Sequence, residues 1–200
     1  NCVLNLAPDK APVFAEIDRV LKTGGELYIS DVFVDRRLPE AVRRDEVLVG
    51  ECLGGALYTE DFRRMMADLG WKDVRTVTER PIEVEDADLR DRLGNARFSS
   101  ATIRAFKLPD LIEDRCEDYG QVAIYRGGVE GQRHAFMLDD HHLFEAGRPM
   151  LVCGNSAAMV QDTRYGRFFD VLGDRSTHFG LFDCEPAPSA GGEAAAGSCC

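Results

Sequence analysis

Residues 1–33, NCVLNLAPDKAPVFAEIDRVLKTGGELYISDVF, decide the fold of this chain. A short apolar run, which we predict to be a strand, leads into residues 9–23, where apolar side chains recur at the spacing of an amphipathic helix. Two glycines, at positions 24 and 25, end that helix. The following residues, 26–32, have the length and apolar density of a strand buried on both faces. Strand, helix and strand in this order form a βαβ unit, which predicts a parallel sheet and an α/β fold.

The rest of the first 108 residues continues this alternation. Helices are predicted over 39–49, 59–70 and 86–94, with Thr59 as the N-cap of the second, and strands are predicted over 74–84 and 98–108. The segment GECLGGALY, residues 50–58, therefore links two helices, and it places one cysteine among three glycines. Because glycine accepts backbone conformations that other residues resist, we expect this link to be loose enough to move.

The character of the sequence changes at about residue 109. Short strand-like pieces alternate with glycine turns from there on, and a helix is predicted from Asn155 or Ser156 towards Thr163. The sequence thus predicts three parts, which are an α/β part over 1–108, a small α+β domain over 109–184 and a flexible tail over 185–200. The tail is rich in Pro, Ala, Ser and Gly and has too little apolar surface to order itself.

The net charge argues against some classes of partner. Asp and Glu number 35 against 24 Lys and Arg, which gives a formal net charge of −11. This balance leaves no broad basic surface, so we expect neither a nucleic acid nor a membrane as partner. The sequence contains no apolar run of about 18 residues and no basic-then-apolar leader, so we expect a cytoplasmic location.

Seven cysteines are spread irregularly along the chain, at positions 2, 52, 116, 153, 184, 199 and 200. No CxxC pair occurs, which excludes zinc ribbons and thioredoxin-type redox motifs. A thiol in a reducing compartment is most often a small buried apolar side chain, so we assign Cys116, Cys153 and Cys184 to packing. The adjacent His141 and His142 point in different directions, and we expect a loop there rather than a metal site.

A cofactor loop is missing from this sequence. A doubly wound nucleotide-binding sheet has a GxGxxG-like turn after its first strand, and no such turn is present. The pair Gly24-Gly25 does not qualify, because it ends a helix rather than opening one. We therefore expect the chain to be the C-terminal portion of a longer protein, and we expect it to bind the cofactor weakly or not at all when isolated.

Several segments together resemble one enzyme family. Residues 1–33 look like the region from the fourth to the fifth strand of a class I, S-adenosylmethionine-dependent methyltransferase. The features that sharpen the resemblance towards arsenite methyltransferases are Cys2 in NCVLNL, Cys52 in GECLGGALY, RFSSATIRAFKL at 97–108, YGQVAIYRGGVEG at 119–131 and the terminal Cys199-Cys200. The resemblance covers nearly the whole chain. It implies the C-terminal part of a Rossmann-like class I methyltransferase sheet, followed by a small α+β domain.

The resemblance also implies site residues and ligands. It assigns Cys2 and Cys52 as the catalytic thiols that bind trivalent arsenic, and it places Asn1 and Asn5 against S-adenosylmethionine. From the residues alone, Glu51 could orient the arsenic site, and Cys199 and Cys200 could deliver arsenic to it, cap products or be inert. The implied substrate is thiol-conjugated trivalent arsenic, and the implied cofactors are S-adenosylmethionine and a thiol reductant, glutathione or thioredoxin.

Other interpretations stay open from the residues alone. The chain could be a thiol-based module that sequesters arsenic without catalysis, or part of a methyltransferase for another small molecule. Cys52 could merely pack beneath a helix while its glycines make a turn, Asn5 could satisfy local backbone, and Glu51 could be solvated. A GxGxG-type loop upstream would favour catalysis, and competition by arsenite would identify the substrate.

Overall fold

The computed structural model describes residues 3–184. Its α-helices are α1 (Ala11–Val20), α2 (Glu40–Arg43), α3 (Glu46–Gly50), α4 (Thr59–Asp68), α5 (Ala87–Leu93) and α6 (Gly154–Gln161), and two 3-10 helices span Leu4–Leu6 and Gly166–Phe168. Its strands are β1 (Glu26–Val34), β2 (Leu57–Tyr58), β3 (Val74–Ile82), β4 (Phe98–Phe106), β5 (Glu117–Asp118), β6 (Gln121–Tyr125), β7 (Ala135–Met137), β8 (Leu143–Glu145), β9 (Pro149–Val152), β10 (Phe169–Leu172) and β11 (Gly180–Leu181). No helix among these residues has the length and apolarity needed to cross a membrane.

The largest sheet has four strands in the order β2-β1-β4-β3. Strands β1 and β2 run parallel, with Phe33 opposite Leu57 and Val34 opposite Tyr58. The end of β1, from Asp31 to Val34, is buried on both faces, but Tyr28 is 52% exposed, so the predicted burial of residues 26–32 on both faces is correct only for the end of the strand. The mixed sheet and its flanking helices confirm the predicted α/β class.

The opening residues differ from the prediction. The apolar run before α1 was predicted to be a strand, but Leu4–Leu6 form a 3-10 helix. The backbone N–H of Leu4 donates to the buried Asp31 carboxylate at 3.1 Å, so a side chain accepts the bond that a strand neighbour would otherwise take. The strand prediction is therefore wrong for these residues.

The predicted helix over 39–49 is also wrong, because two short helices stand in its place. The Asp45 side chain accepts hydrogen bonds from the backbone N–H groups of Val47 and Leu48, at 3.0 and 3.1 Å, and so caps a new helix, α3. In α4 the residue Thr59 is the first helical residue and not the N-cap, which is Tyr58. The Thr59 hydroxyl instead donates to the carbonyl of Val34 at 3.5 Å.

The chain divides into two compact units that each use several stretches of sequence. Unit 1 contains the residues up to Leu21, Leu27–Gly70 and Thr76–Arg104, and unit 2 contains Lys22–Glu26, Trp71–Arg75 and the residues from Ala105 on. The predicted domains over 1–108 and 109–184 stay a prediction, because compactness alone does not test which stretches fold independently.

Each unit has its own apolar core. In unit 1 the buried cluster consists of Val32, Val34, Val42, Leu48, Leu53, Leu93 and Phe98. In unit 2 the antiparallel sheet β10-β6-β9 packs with α6, and the core rings belong to Tyr125, Phe136, Phe144, Tyr165 and Phe169. Full burial of an aromatic side chain contributes about 1.5–3 kcal/mol, so these rings hold the second unit together.

Candidate functional site

The GECLGGALY segment begins in the last turn of α3. This helix ends at Gly50, and Glu51 is its C-cap. The N–H of Cys52 donates to the carbonyl of Val49 at 3.0 Å, and the N–H of Leu53 donates to the carbonyl of Leu48 at 2.9 Å. These two bonds form a Schellman motif, in which the residue after the C-cap adopts a left-handed conformation. Cys52 occupies that position.

The backbone of Cys52 is strained. Its φ of +61° is the one positive φ of a non-glycine residue between residues 3 and 184. Glycine is the usual residue at this point of the motif, because a Cβ in the left-handed region costs about 1–2 kcal/mol. Three glycines stand nearby in the sequence, yet the strained position holds the cysteine. Backbone strain of this kind clusters at functional sites.

The neighbouring glycines serve close packing rather than flexibility. A Cβ on Gly55 would lie 1.9 Å from the backbone oxygen of Asn5, and a Cβ on Gly54 would lie 2.9 Å from that of Val42. Neither glycine has a positive φ. The expectation of a loose link is therefore wrong, because the segment packs against two other backbones.

The Cys52 side chain is half-buried and packs against the apolar cluster of unit 1. It is a thiol rather than part of a disulfide. Glu51 is exposed. Burial by itself is thus compatible with both roles considered for Cys52, packing and liganding, and only its backbone conformation separates them.

Asn5 lies directly beside this segment. Its side-chain amide donates to the carbonyl of Val32 at 2.7 Å, and the residue is 2% exposed. Its side-chain oxygen is buried and has no hydrogen-bond partner among the described residues. The amide therefore satisfies local backbone, whereas the oxygen is an acceptor that is still available.

Four of the residues assigned from the sequence lie outside the described part of the chain: Asn1, Cys2, Cys199 and Cys200. The nearest described residue to the first two is Val3, which is 68% exposed. The 3-10 helix that follows it contacts α3, so the segment after Cys2 and the segment before Cys52 lie together in unit 1.

Cys116 and Cys153 are buried free thiols, as the assignment to packing predicts, whereas Cys184 is only half-buried. Cys153 is the N-cap of α6, and its sulfur accepts a hydrogen bond from the backbone N–H of Ser156 at 3.4 Å. The thiols of Cys116 and Cys184 both lie within hydrogen-bonding reach of the same sulfur. These three residues are far apart in sequence and share no spacing motif, so no sequence signal could have indicated the cluster.

Charged groups surround Cys153. The guanidinium of Arg75 lies 3.9 Å from its sulfur and also binds Asp73, at 2.5 and 2.6 Å, and Asp139, at 2.9 Å. Hydrogen bonds from Cys116 and Cys184 hold the pKa of the Cys153 thiol far below its usual value, against the effect of burial, and Arg75 adds to the shift. The site therefore favours a thiolate at Cys153.

A chain of hydrogen bonds continues from this thiol. The hydroxyl of Ser156 lies 3.3 Å from the Cys153 sulfur and 3.4 Å from Nε2 of His142, whose Nδ1 lies 2.7 Å from Asp139. Burial opposes the ionisation of Asp139, but the hydrogen bond from His142 and the charge of Arg75 hold the pKa of that carboxyl well below its usual range.

The two adjacent histidines have different surroundings. His142 is buried in the network just described, whereas the exposed His141 has its Nδ1 2.5 Å from a carboxylate oxygen of Asp140. Among residues 3–184, one group of potential metal ligands has its atoms within 4.8 Å of one another, namely Asp139, Asp140 and His141. Two of these three are exposed, and this arrangement is common without a metal ion.

Comparison with known proteins identifies relatives over most of the chain. A methyltransferase-domain family model matches residues 1–70. An arsenite methyltransferase of Aquipseudomonas alcaligenes is 56% identical over 183 residues, which are 92% of this chain and 53% of that protein. An arsenite methyltransferase of Mus musculus is 41% identical over 170 residues, which are 84% of this chain and 44% of that protein. This chain spans about half the length of the curated relatives that it matches.

A solved structure has the same fold. It is the crystal structure of CrArsM, an arsenic(III) S-adenosylmethionine methyltransferase from Chlamydomonas reinhardtii, which matches with a TM-score of 0.87 and 54% sequence identity. The match covers 92% of this chain and 61% of that chain. A methyltransferase-type, Rossmann-like fold follows from this likeness.

Proposed function

We propose, from the premise that this chain is homologous to the arsenite methyltransferases over about half of their length, that it supplies the arsenic-holding part of such an enzyme. The reaction moves methyl groups from S-adenosylmethionine to thiol-bound trivalent arsenic. A thiol reductant, glutathione or thioredoxin, and a cytoplasmic location belong to the same proposal, since thiols such as Cys52 persist in a reducing compartment.

Methylation of arsenic requires soft ligands for the arsenic atom and accurate placement of that atom beside the methyl group. Trivalent arsenic prefers thiolate sulfur, and its lone pair attacks the methyl carbon directly, so no general base is needed. The contribution of the protein is then to hold arsenic at the right distance and angle, which is catalysis by proximity and orientation. In this proposal Cys2 and Cys52 are the two liganding thiols, and the exposed Glu51 orients the bound arsenic.

The single observation that carries the proposal is the left-handed backbone of Cys52. A cysteine that only filled space would not need the one position of this helix end where glycine is favoured. The strain is compatible with a thiol that must be aimed in a direction that no relaxed residue at this position reaches.

The contact between Gly55 and Asn5 supports a shared site. Gly55 follows Cys52 by three residues, and Asn5 follows Cys2 by three residues. A Cβ on Gly55 would almost coincide with the Asn5 backbone oxygen, so the two backbones touch there. The segment that follows Cys2 therefore meets the segment that follows Cys52 at this contact.

One buried side-chain atom among the described residues is a candidate hydrogen-bond partner for S-adenosylmethionine. The buried side-chain oxygen of Asn5 has no partner between residues 3 and 184 and would accept a hydrogen bond from the cofactor. Asn1 is the second residue that we assign to it. When bound, the cofactor supplies an electrophilic methyl group, and the residues of this chain hold the arsenic that receives it.

Replacing Cys52 in the gene product that contains this chain tests the proposal. Both Cys52→Ser and Cys52→Gly remove the soft ligand, but serine keeps the backbone strain whereas glycine relieves it. We expect arsenite methylation to collapse in both variants while binding of S-adenosylmethionine is retained, with the initial methylation rate and the cofactor Kd as the measurements. Cys2→Ser should behave in the same way.

Comparing Cys52→Ser with Cys52→Gly separates a loss of arsenic binding from a loss of stability. The two substitutions at Cys52 are expected to shift stability in opposite directions, so a common loss of activity cannot come from unfolding. Full methylation by Cys52→Gly would remove the liganding role. Tight arsenite binding without any methylation by the unmodified protein would instead favour a sequestering module.

A further inference from the structure

Three thiols in unit 2 come together around one sulfur. Cys116 lies just before β5, Cys153 caps α6, and Cys184 follows β11. Strands β5 and β11 are paired, and this pairing is extended by a 2.8 Å bond from the N–H of Phe182 to the carbonyl of Cys116. The strand pairing therefore brings the segments of Cys116 and Cys184 to the same place, beside the N-terminus of α6.

The cluster is built as a ligand site rather than as apolar packing. Cys116 and Cys153 are buried, at 7% and 0% exposure, while Cys184 is only half-buried. Both outer thiols hydrogen-bond to the Cys153 sulfur. The same sulfur also receives the N–H of Ser156 and the guanidinium of Arg75, which are donors that suit a thiolate.

The geometry points to a second arsenic-binding site in unit 2, formed by Cys116, Cys153 and Cys184, which takes trivalent arsenic as a three-coordinate thiolate complex. The site is separate from the one assigned to Cys2 and Cys52 in unit 1. The proposed function decides only which soft, thiophilic ligand the site takes, namely arsenic.

The binding step balances without an oxidant. Arsenite carries three hydroxyl groups on trivalent arsenic. The Cys153 thiolate and the thiols of Cys116 and Cys184 each replace one hydroxyl, so three As–O bonds break and three As–S bonds form. The protons of the two thiols leave in two water molecules, and the third hydroxyl takes its proton from solvent.

One adjustment accompanies binding. The three sulfurs are not among the groups whose potential ligand atoms all lie within 4.8 Å of one another, so the two outer thiols approach each other when arsenic enters. Cys184 is the thiol that moves, because it is partly exposed and lies beyond the last residue of β11. Arsenic binding therefore joins the end of this segment to α6.

The decisive experiment isolates the three thiols. A variant of the full 200-residue chain carrying C2S, C52S, C199S and C200S retains only Cys116, Cys153 and Cys184. After incubation with arsenite under a phosphine reductant and gel filtration, we expect one arsenic per chain by mass spectrometry. Adding Cys153→Ser should weaken binding by at least about tenfold. X-ray absorption at the arsenic edge should find three sulfur neighbours.

Three results would contradict the second arsenic site. A folded four-serine variant that binds no arsenic, equal binding after Cys153→Ser, or arsenic with two sulfur neighbours would each overturn the proposal. Because Cys2 and Cys52 are absent from this variant, its result is independent of whether the protein methylates arsenic.

A second measurement needs no substitution. In the unmodified chain, alkylation by N-ethylmaleimide followed by peptide mapping reports each cysteine separately. Arsenite should slow the alkylation of Cys116, Cys153 and Cys184 together. Unchanged alkylation of these three in the presence of arsenite would refute the site even if the four-serine variant fails to fold.

Discussion

Cys52 holds a position in which its own Cβ is unfavourable. The Schellman motif after α3 requires a left-handed residue, and the hydrogen bonds to Val49 and Leu48 are formed despite the cysteine. The strain is maintained by the packing of the flanking residues Leu53 and Gly54, which are both buried. Relieving it should therefore stabilise unit 1.

A comparison of glycine with alanine at position 52 measures that strain. Cys52→Gly and Cys52→Ala both lose the thiol and its packing, but only glycine relaxes the φ of +61°. We expect the glycine variant to be more stable than the alanine variant by about 1 kcal/mol, from the free energy of unfolding in urea. Equal stabilities would mean that the position carries no strain.

The buried ion pairs of Arg75 are a second feature that depends on single residues. Arg75 and Asp139 are 5% and 1% exposed, and the Asp139 carboxylate serves both Arg75 and His142. A buried charge network loses several kcal/mol when one partner is removed, because the remaining charge stays buried. The sole tryptophan, Trp71, is buried in the same unit and offers a fluorescence signal for its unfolding.

Asp139→Asn should destabilise unit 2 by roughly 2–4 kcal/mol, because the amide cannot balance the charge of Arg75. The measurement is urea unfolding followed by Trp71 fluorescence. The matched control is Asp140→Asn, whose carboxylate is exposed and pairs only with His141 among the described residues, and this change should stay within about 0.5 kcal/mol. Similar effects of the two substitutions would contradict the buried network.

The depressed pKa of Asp139 predicts a direction for the pH dependence. A carboxyl whose folded pKa lies below its unfolded value, about 3.9, contributes stability that is complete above that pH and is lost as the pH falls towards the folded value. Below about pH 4 the Trp71 transition should therefore weaken in the unmodified chain. The Asp139→Asn variant should show a smaller loss over the same range, and parallel curves would exclude Asp139 as the titrating group.

At the scale of elements, contact between backbones fixes the segment after α3. Gly55 approaches the Asn5 oxygen more closely than any side chain would allow, whereas Gly50 has open space around its missing Cβ. The two glycines lie five residues apart, and only Gly55 has a backbone atom where a Cβ would be placed. They form a natural pair for measuring the importance of the contact.

Gly55→Ala should cost about 1–3 kcal/mol or more, because the new Cβ meets a backbone atom that cannot rotate away. Gly50→Ala should gain roughly 0.5–1 kcal/mol, since alanine favours the helix and nothing obstructs it. Urea unfolding of both variants gives the comparison. A tolerated Gly55→Ala would mean that the two segments are not in firm contact.

Elements with strong periodicity were predictable, and those decided by one hydrogen bond were not. The apolar spacing in α1 and the apolar run of β1 indicated both elements to within a few residues. The break before α3 depends on the side chain of Asp45, which competes with a continuous helix in a way that periodicity does not reveal. The same limit applies to the site, since Cys52 was indicated by family resemblance but its strain only by its φ.

At the scale of the whole molecule, the net charge of −11 determines which partners can approach. Non-specific DNA binding depends on Lys and Arg neutralising phosphates, and acidic groups outnumber basic ones here. We expect no mobility shift of duplex DNA at low salt, at protein concentrations of about 10⁻⁶–10⁻⁴ M where non-specific binders associate. A salt-sensitive shift would reveal a basic surface that the overall charge conceals.

The two units interleave along the sequence, and this has a consequence for synthesis. Unit 1 has all of its residues once Arg104 has left the ribosome, whereas unit 2 requires Lys22–Glu26, Trp71–Arg75 and a much later stretch. Of the two early segments, Lys22–Glu26 finds its partner Lys107 soon after, whereas Arg75 must wait for Asp139 and Cys153. The charge of Arg75 thus stays without its acidic partner Asp139 on the nascent chain for more than sixty residues of synthesis, and that interval is a period in which chaperones have access to the incomplete unit.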